Sequence, residues 1–411
     1  MAGTHVKRAY KYRFYPTEQQ KRELARTFGC VRVVYNKALE ARTAAWYTEQ
    51  RRVNYNDTSA MLTAWKKTDE FAFLCDVSCV PLQQTLRHLQ GAFANFFDKR
   101  ARYPRFKSKK KSRASAEYTR SAFRYRDGRL TLAKMAEPLD IAWSRPLPDG
   151  AEPSTVTVSR DAAGRWFVSL LVETGIAHHS PTSSAVGVDA GITSLLTLST
   201  GEKIANPKYQ QREHVRLVKA QRSLARKAKK SANQDKARRR VARVYARIAD
   251  RRRDHLHKVT TRLVRENQTI VIEDLNVAGM LRNRSVARAI SDASWSQFRS
   301  MLEYKARWYG REVIAVDRWC PSSKTCSVCG LLLDSLPLHV REWICRCGAT
   351  HDRDVNAANN ILAAGLAVTA CGGGVRPTRR TSVRLSPVKQ EAQPVKVGVP
   401  ASWFGNEAKI S

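Results

Sequence analysis

Four cysteines fall within 22 residues: Cys326 and Cys329 with two residues between them, then, 15 residues on, Cys345 and Cys347 with one between them. Two close-set thiol pairs at such a distance form the knuckles of a zinc ribbon, in which four thiolates surround one Zn²⁺ tetrahedrally. The other cysteines do not compete with this reading. Cys30, Cys75 and Cys79 are scattered, Cys320 is a spare thiol near the cluster, and the total of nine is odd, so a secreted disulfide framework is disfavoured. An ordinary ribbon has C-x2-C in both pairs; the C-x-C here demands a tighter turn, for which Gly348 supplies backbone freedom. Four thiolates leave no open coordination position, so this zinc is expected to be structural.

Around that cluster the chain is strongly basic. Seventy-three Lys and Arg against 36 Asp and Glu leave a formal charge of +37 over 411 residues, far beyond what solubility requires, and point to a polyanionic partner. Nucleic acid is the first candidate. A membrane surface is disfavoured because no run of about 18 apolar residues and no signal-peptide pattern at Met1 is present. A cytoplasmic, nucleoid-associated protein with no membrane contact is the expectation. The charge is concentrated: 212–253 carries 17 Lys and Arg among 42 residues with three acids, whereas solvated helix faces usually mix signs. Such a stretch is suited to lie along phosphates.

Periodicity divides the chain. A strand-like start (Tyr10 to Tyr15) precedes a capping box, Thr17 with Gln20, and apolar residues at helical spacing, Leu24, Phe28, Val31, Tyr35 and Leu39. A second helix is predicted from Leu82, Leu86, Leu89, Phe93 and Phe97, followed by a basic, mobile connection, Lys107 to Arg113. From Tyr118 short alternating runs with turns at Asp127-Gly128 and Ala163-Gly164 predict a small β domain. The strands "AVGVDAG", "SLLTLST", "TIVIEDL" and "EVIAVD", interleaved with long helices, predict a mixed α/β sheet. Beyond residue 366 the sequence is rich in Gly, Pro, Ser and Arg without periodicity, and a disordered basic tail is expected over 367–411.

Within this frame three acids stand out: Asp189 in an otherwise apolar strand, Glu273 ending "TIVIE", and Asp354 opening the helical "DVNAANNIL". A carboxylate at such a place needs a partner. Acids at neighbouring strand ends, joined by a third from a helix, can hold Mg²⁺, and two such ions about 3.5–4 Å apart stabilise both attacking and leaving oxygens of a phosphodiester. Each acid singly has an ordinary alternative as a turn or cap residue. His255 and His257 do not share a helix face at their spacing and are read as packing or phosphate contacts; His178 and His179 receive no role.

Taken together, "RFYPT", "VYNKAL", "LQQTLRHLQGAFANFF", "YPRFK", "GVDAGI", "NPKY", "HKVTTRLVREN", "VIEDL", "WSQFRSMLEYKARWYG", "CPSSKTCSVCG" and "THDRDVNAANNIL" occur in the order seen in TnpB proteins. The chain resembles that family from its first strand to about residue 366. The resemblance implies an α/β fold: an RNase H-like RuvC nuclease domain (185–321 and 351–366) with a zinc ribbon insertion (322–350). It also implies an N-terminal helical recognition lobe (17–117) and a small β-barrel-like wedge domain (118–184, with 1–16 as its first strand). It further implies Asp189, Glu273 and Asp354 as catalytic acids holding two Mg²⁺, Cys326, Cys329, Cys345 and Cys347 as ligands of one Zn²⁺, and Asp352 as a structural neighbour. A guide RNA and double-stranded target DNA would be the partners, with RNA-guided DNA cleavage as the activity. Alignment of "NYNDTS" and "PLQQTL" suggests Tyr55 and Gln83 as contacts to a short target-adjacent motif, a glutamine being able to pair bidentately with adenine. A nuclease-inactive RNA-guided repressor and a guide-independent transposase are the alternatives.

Overall fold

The computed structural model describes residues 3–110 and 112–370, which divide into two compact units, 3–176 with 217–246 and 177–216 with 247–370. In the first, β1 (Gly3–Phe14) leads to α1 (Glu18–Glu49), α2 (Tyr55–Trp65), a 3-10 turn and α3 (Cys79–Phe97). The start of α1 forms as its sequence dictates. The Gln20 N–H donates to the Thr17 hydroxyl and the Thr17 N–H to the Gln20 side chain, and Leu24, Phe28, Val31, Tyr35 and Leu39 are all buried. In α3, Leu82, Leu86, Leu89 and Phe93 are buried, whereas Phe97 is exposed at the helix end.

The β part of this unit comprises β2 (Ala114–Thr119), β3 (Phe123–Arg126), β4 (Arg129–Leu132), β5 (Ile141–Ala142), β6 (Pro153–Arg160) and β7 (Trp166–Ala177). Four of them join β1 in one sheet of order β2-β6-β7-β1-β5, and β3 and β4 form a hairpin whose turn residues Asp127 and Gly128 both have positive φ, as a type I′ turn requires. Tyr10, Tyr12 and Phe14 share a single apolar core with Leu24, Leu82, Val156 and Val168, so helices and sheet are stabilised by burying one another. The connection expected to be mobile is tied at its start. Asn36 bonds both backbone groups of Lys107, whose ammonium lies 3.8 Å from the centre of the Tyr35 ring, a cation–π contact that charge composition cannot reveal.

The second unit is built on β8 (Ala185–Asp189), β9 (Ser194–Leu198), β10 (Lys203–Ala205), β11 (Thr269–Glu273) and β12 (Glu312–Val316), in the order β10-β9-β8-β11-β12. β8, β11 and β12 are parallel, and β9 and β10 are antiparallel to their neighbours. Between them run α4 (Tyr209–Arg212), α5 (His214–Ala225), α6 (Ala232–Glu266), α7 (Val277–Met280), α8 (Ala287–Ala293) and α9 (Trp295–Tyr309); the hairpin β13 (Glu342–Ile344) with β14 (Thr350–Asp352) and α10 (Arg353–Ala370) follow. Of the basic stretch, 217–246 falls in the first unit and the remainder in the second.

Strand alternation sorts the sheet's two faces. Val186, Val188, Ile270 and Ile272 join Leu263 of α6 and Leu302 of α9 in one core, while Val271, Ile314 and Val316 meet Ile361 of α10 on the other face. Helix α10 seats very closely: a Cβ on Gly187 would lie 2.1 Å from the Ala358 carbonyl oxygen, and one on Gly365 would lie 2.4 Å from Val271 Cγ1. This helix continues through Ala370, past the boundary expected for the basic tail; the rest of that tail, 371–411, lies outside the described residues. Among the described residues no helix is long and apolar enough to cross a membrane.

Candidate active site and metal centre

Asp189 is the last residue of β8 and Glu273 the last of β11, and the parallel register that pairs Val188 with Ile272 sets the two acids side by side. Both follow Gly187 and Val271 by two residues and therefore share the face that α10 covers. Asp354 lies in the first turn of α10, over the same strand ends. Asp189 feels the other two acids. Burial first, then the charges of Glu273 and Asp354, push Asp189 up to about 7, against partial relief from Arg353 and the Ala190 N–H. Glu273 is also raised by burial, with the Ser322 hydroxyl, which donates to it at 2.9 Å, working in the opposite direction. Neither Asp189 nor Glu273 has an ion-pair partner among the described residues, whereas Asp354 accepts a 3.3 Å bond from Arg341. Two half-buried acids with no ion-pair partner, adjacent to a third, form a donor set suited to a hard divalent ion.

Neighbouring acids do other work. Asp352 caps α10, its carboxylate accepting from the N–H groups of Asp354 (3.1 Å) and Val355 (3.0 Å) while Lys203 donates to its second oxygen at 2.6 Å. Burial alone would raise its pKa, but the lysine and the two N–H groups outweigh burial and hold it below the usual carboxylate range. Asp274 is held low by Arg299, despite burial, and by Arg318. A cavity of about 410 Å³ beside these groups is lined in part by Glu273, Asn276, Trp295, Arg299 and Arg318.

Several positioning residues carry no acid and were not singled out in the sequence. Asn356 and Asn360, one turn apart on α10, both donate to the Thr325 carbonyl at 2.7 Å; Asn360 also donates to the Ser322 carbonyl at 2.8 Å, and Asn356 accepts from the Ser327 N–H. Buried amides bonded in this way lock the helix that bears Asp354 to the loop that bears Ser322, and through it to Glu273. Their signal was the i, i+4 asparagine pair in an otherwise alanine-rich helix.

The four cysteines converge: their sulfurs all lie within 4.8 Å of one another, with Cys326 to Cys347 at 3.8 Å and Cys329 to Cys345 at 3.6 Å. A tetrahedron with Zn–S bonds of about 2.3 Å has edges of about 3.8 Å, so the cluster has the size to take zinc. Each pair ends in a glycine of positive φ, Gly330 at 77° and Gly348 at 87°, and each glycine N–H donates at 2.9 Å to the carbonyl of its pair's first cysteine. The shorter C-x-C pair therefore closes by a glycine turn one residue tighter, three residues from donor to acceptor instead of four, flanked by β13 and β14. His351, only 6% exposed, has Nε2 3.0 Å from the Cys326 sulfur. Burial opposes ionisation of Cys326, but N–H groups of Cys329 and Val328 together with His351 outweigh it and bring the thiol down to about 6, toward the thiolate that a metal binds.

The other sequence candidates are not members of these clusters. Tyr55 opens α2, half-buried, with its hydroxyl 3.4 Å from Arg87 Nε; Gln83 is exposed on α3 one turn before Arg87. His255 is packed, its ring edge-on to Tyr209, and the His257 carbonyl accepts from Lys305. His179 stacks on Tyr309 with ring centres 4.5 Å apart, and His178 lies against Gly310. Cys320 is half-buried, with its thiol raised by burial and by Glu273 and Asp317.

Comparison with known proteins agrees with this architecture. Residues 167–284 match the OrfB_IS605 family, described as "Probable transposase"; 295–361 match a "Cas12f1-like, TNB domain", and 1–51 a "Helix-turn-helix domain", where the structure has one strand and one long helix. A Streptomyces pristinaespiralis protein named "Putative RNA-guided DNA endonuclease" is 69% identical over 396 residues, covering 96% of this chain and 98% of the relative. "Putative RNA-guided DNA endonuclease InsQ" of Escherichia coli K12 is 34% identical over 408 residues, covering 93% and 96%. In fold the chain is similar to a protein solved in a Cas12f1-sgRNA-target DNA complex, with a TM-score of 0.53 at 12% identity over 87% of this chain and 98% of that one. With near full-length relatives at such identity, the chain belongs to the TnpB (OrfB_IS605) family.

Proposed function

We propose that this protein is an RNA-guided DNA endonuclease that hydrolyses phosphodiesters at Asp189, Glu273 and Asp354. The observation that carries the reading is the convergence of these carboxylates at two parallel strand ends and a helix start, with Asp189 pushed up to about 7. The strand order β10-β9-β8-β11-β12, with three parallel strands, supports an RNase H-like RuvC domain. The four-sulfur cluster and its two glycine turns support a structural zinc ribbon. The helices of 17–117 act as the recognition lobe and the β part as the wedge, and Tyr55 and Gln83 contact the target-adjacent motif.

Asp189, Glu273 and Asp354 would hold two Mg²⁺, which supply charge stabilisation to the reacting phosphate and a nucleophilic water. Ser322 orients Glu273, the Asp352 cap and the Asn356–Asn360 clamp hold the helix that presents Asp354, and Arg353 moderates the repulsion at Asp189. Base pairing of guide RNA to one DNA strand selects the target, while the Lys and Arg surplus holds phosphates irrespective of sequence. A nuclease-inactive repressor has no need of these acids, and all three are present. The test is to co-express the chain with the DNA flanking the 3′ end of its gene, recover bound RNA, and challenge the complex with a matching plasmid. RNA-dependent plasmid cutting supports the reading; no co-purifying RNA refutes it.

A further inference from the structure

Trp319 is the most exposed large hydrophobic side chain among the described residues, at 84%. An indole that remains in water forgoes the burial that usually keeps tryptophan in a protein, so its position needs a reason. Its surroundings give one. It stands three residues beyond Val316, which pairs with Glu273, and three before Ser322, whose hydroxyl holds Glu273. The loop is ordered by its own hydrogen bonds: the Trp319 N–H donates to the Asp317 carboxylate at 2.9 Å, the Cys320 N–H to the Asp317 carbonyl at 3.1 Å, and the Ser322 N–H to the Cys320 carbonyl at 2.8 Å. The preceding Arg318 is tied to Asp274 at 2.8 Å. The loop thus exposes a flat, apolar ring three residues from the strand partner of Glu273 and three from the serine bonded to it, in a chain of charge +37.

We propose that Trp319 is a stacking platform for an unpaired base of the DNA strand being cut, a few nucleotides from the reacting phosphodiester; the assignment rests on the nuclease reading above. Three residues of chain span at most about 11 Å, so the ring is within nucleotide reach of the site. Aromatic stacking tolerates any base, which suits an enzyme whose sequence choice belongs to guide pairing. Trp319 is a positioning residue: it fixes the strand so that the phosphodiester meets the acids, and takes no part in proton or metal chemistry.

The test uses guide-loaded protein, Mg²⁺ and target duplexes in which an abasic site is walked across the nucleotides around the cut. With the natural protein, an abasic site at one or two positions should slow single-turnover cleavage about tenfold. Trp319→Ala should slow cleavage of intact DNA by a similar factor, lose its sensitivity to those abasic positions, and bind target normally; Trp319→Phe should recover part of the rate. Full-rate cleavage by Trp319→Ala, or unchanged abasic sensitivity in that variant, overturns the stacking role while leaving the nuclease reading intact. If the natural complex does not cut at all, the nuclease reading falls and the stacking proposal with it.

Discussion

Replacing Gly187 with alanine should disable cutting without touching an acid. The new methyl would lie 2.1 Å from the Ala358 carbonyl oxygen and 2.8 Å from both the Leu362 Cβ and its backbone nitrogen. Backbone cannot swing aside as a flexible side chain does, so α10 must move by about 1 Å or more to restore ordinary contact. Asp354 rides on that helix, and Asp189 follows Gly187 by two residues. A misplacement of about 1 Å at a reacting group can cost about 100-fold in rate, and overpacking of this kind typically costs 1–3 kcal/mol of stability. The expected result is about 100-fold slower single-turnover cleavage, with a lower melting temperature but retained guide and target binding. Cleavage by Gly187→Ala within about threefold of the natural rate would refute the claim that α10 seats Asp354 against β8.

Asp189 also predicts a pH effect. Its pKa in the fold, about 7 against an ordinary 3.8, makes its ionisation oppose folding. Its neutral form is favoured at pH 4–6, and the penalty grows as pH rises toward 7 and is complete above it. Metal-free Asp189→Asn should therefore gain stability over the parent at pH 8 and little at pH 4, by thermal melts compared pairwise. Asp352→Ala should cost about 1 kcal/mol through loss of the α10 cap and slow cleavage far less than Asp354→Ala does, by melts and cleavage rates. Elemental analysis should find one zinc per chain, lost in Cys345→Ser, and His351→Ala should weaken zinc retention against a chelator about 10- to 100-fold. Neutralising the exposed Arg239, Arg240 and Arg243 of α6 to Gln should lower the log–log salt slope of nucleic-acid binding by about 2–3, an unchanged slope meaning that this face does not meet phosphates.

The elements with strong local rules were legible before the structure. The Thr17–Gln20 capping box, the Asp127-Gly128 turn and the apolar strands around Asp189 and Glu273 each obey a short-range rule, and each forms where that rule places it. The cysteine spacing implied a cluster, and four sulfurs converge. What remained hidden depends on residues distant in sequence. His351 reaches Cys326 from 25 residues away, Asn360 reaches Ser322 across 38, and Asn36 reaches Lys107 across 71. The tie at Lys107 shows the limit of composition: a basic run reads as mobile until an aromatic ring and an amide from another helix hold one end of it. The division of the stretch 212–253 between two units was hidden for the same reason, since its charge is uniform along its length.

The measurement that tests the central claim most directly is the rate of guide-directed plasmid cleavage by three single variants, Asp189→Ala, Glu273→Ala and Asp354→Ala, with Mg²⁺ and with target binding measured alongside. The account predicts that each variant binds the target as the parent does and that each loses cleavage by at least about 100-fold, because no two of the acids suffice to hold both ions. Near-normal cutting by any one of the three would contradict a shared site.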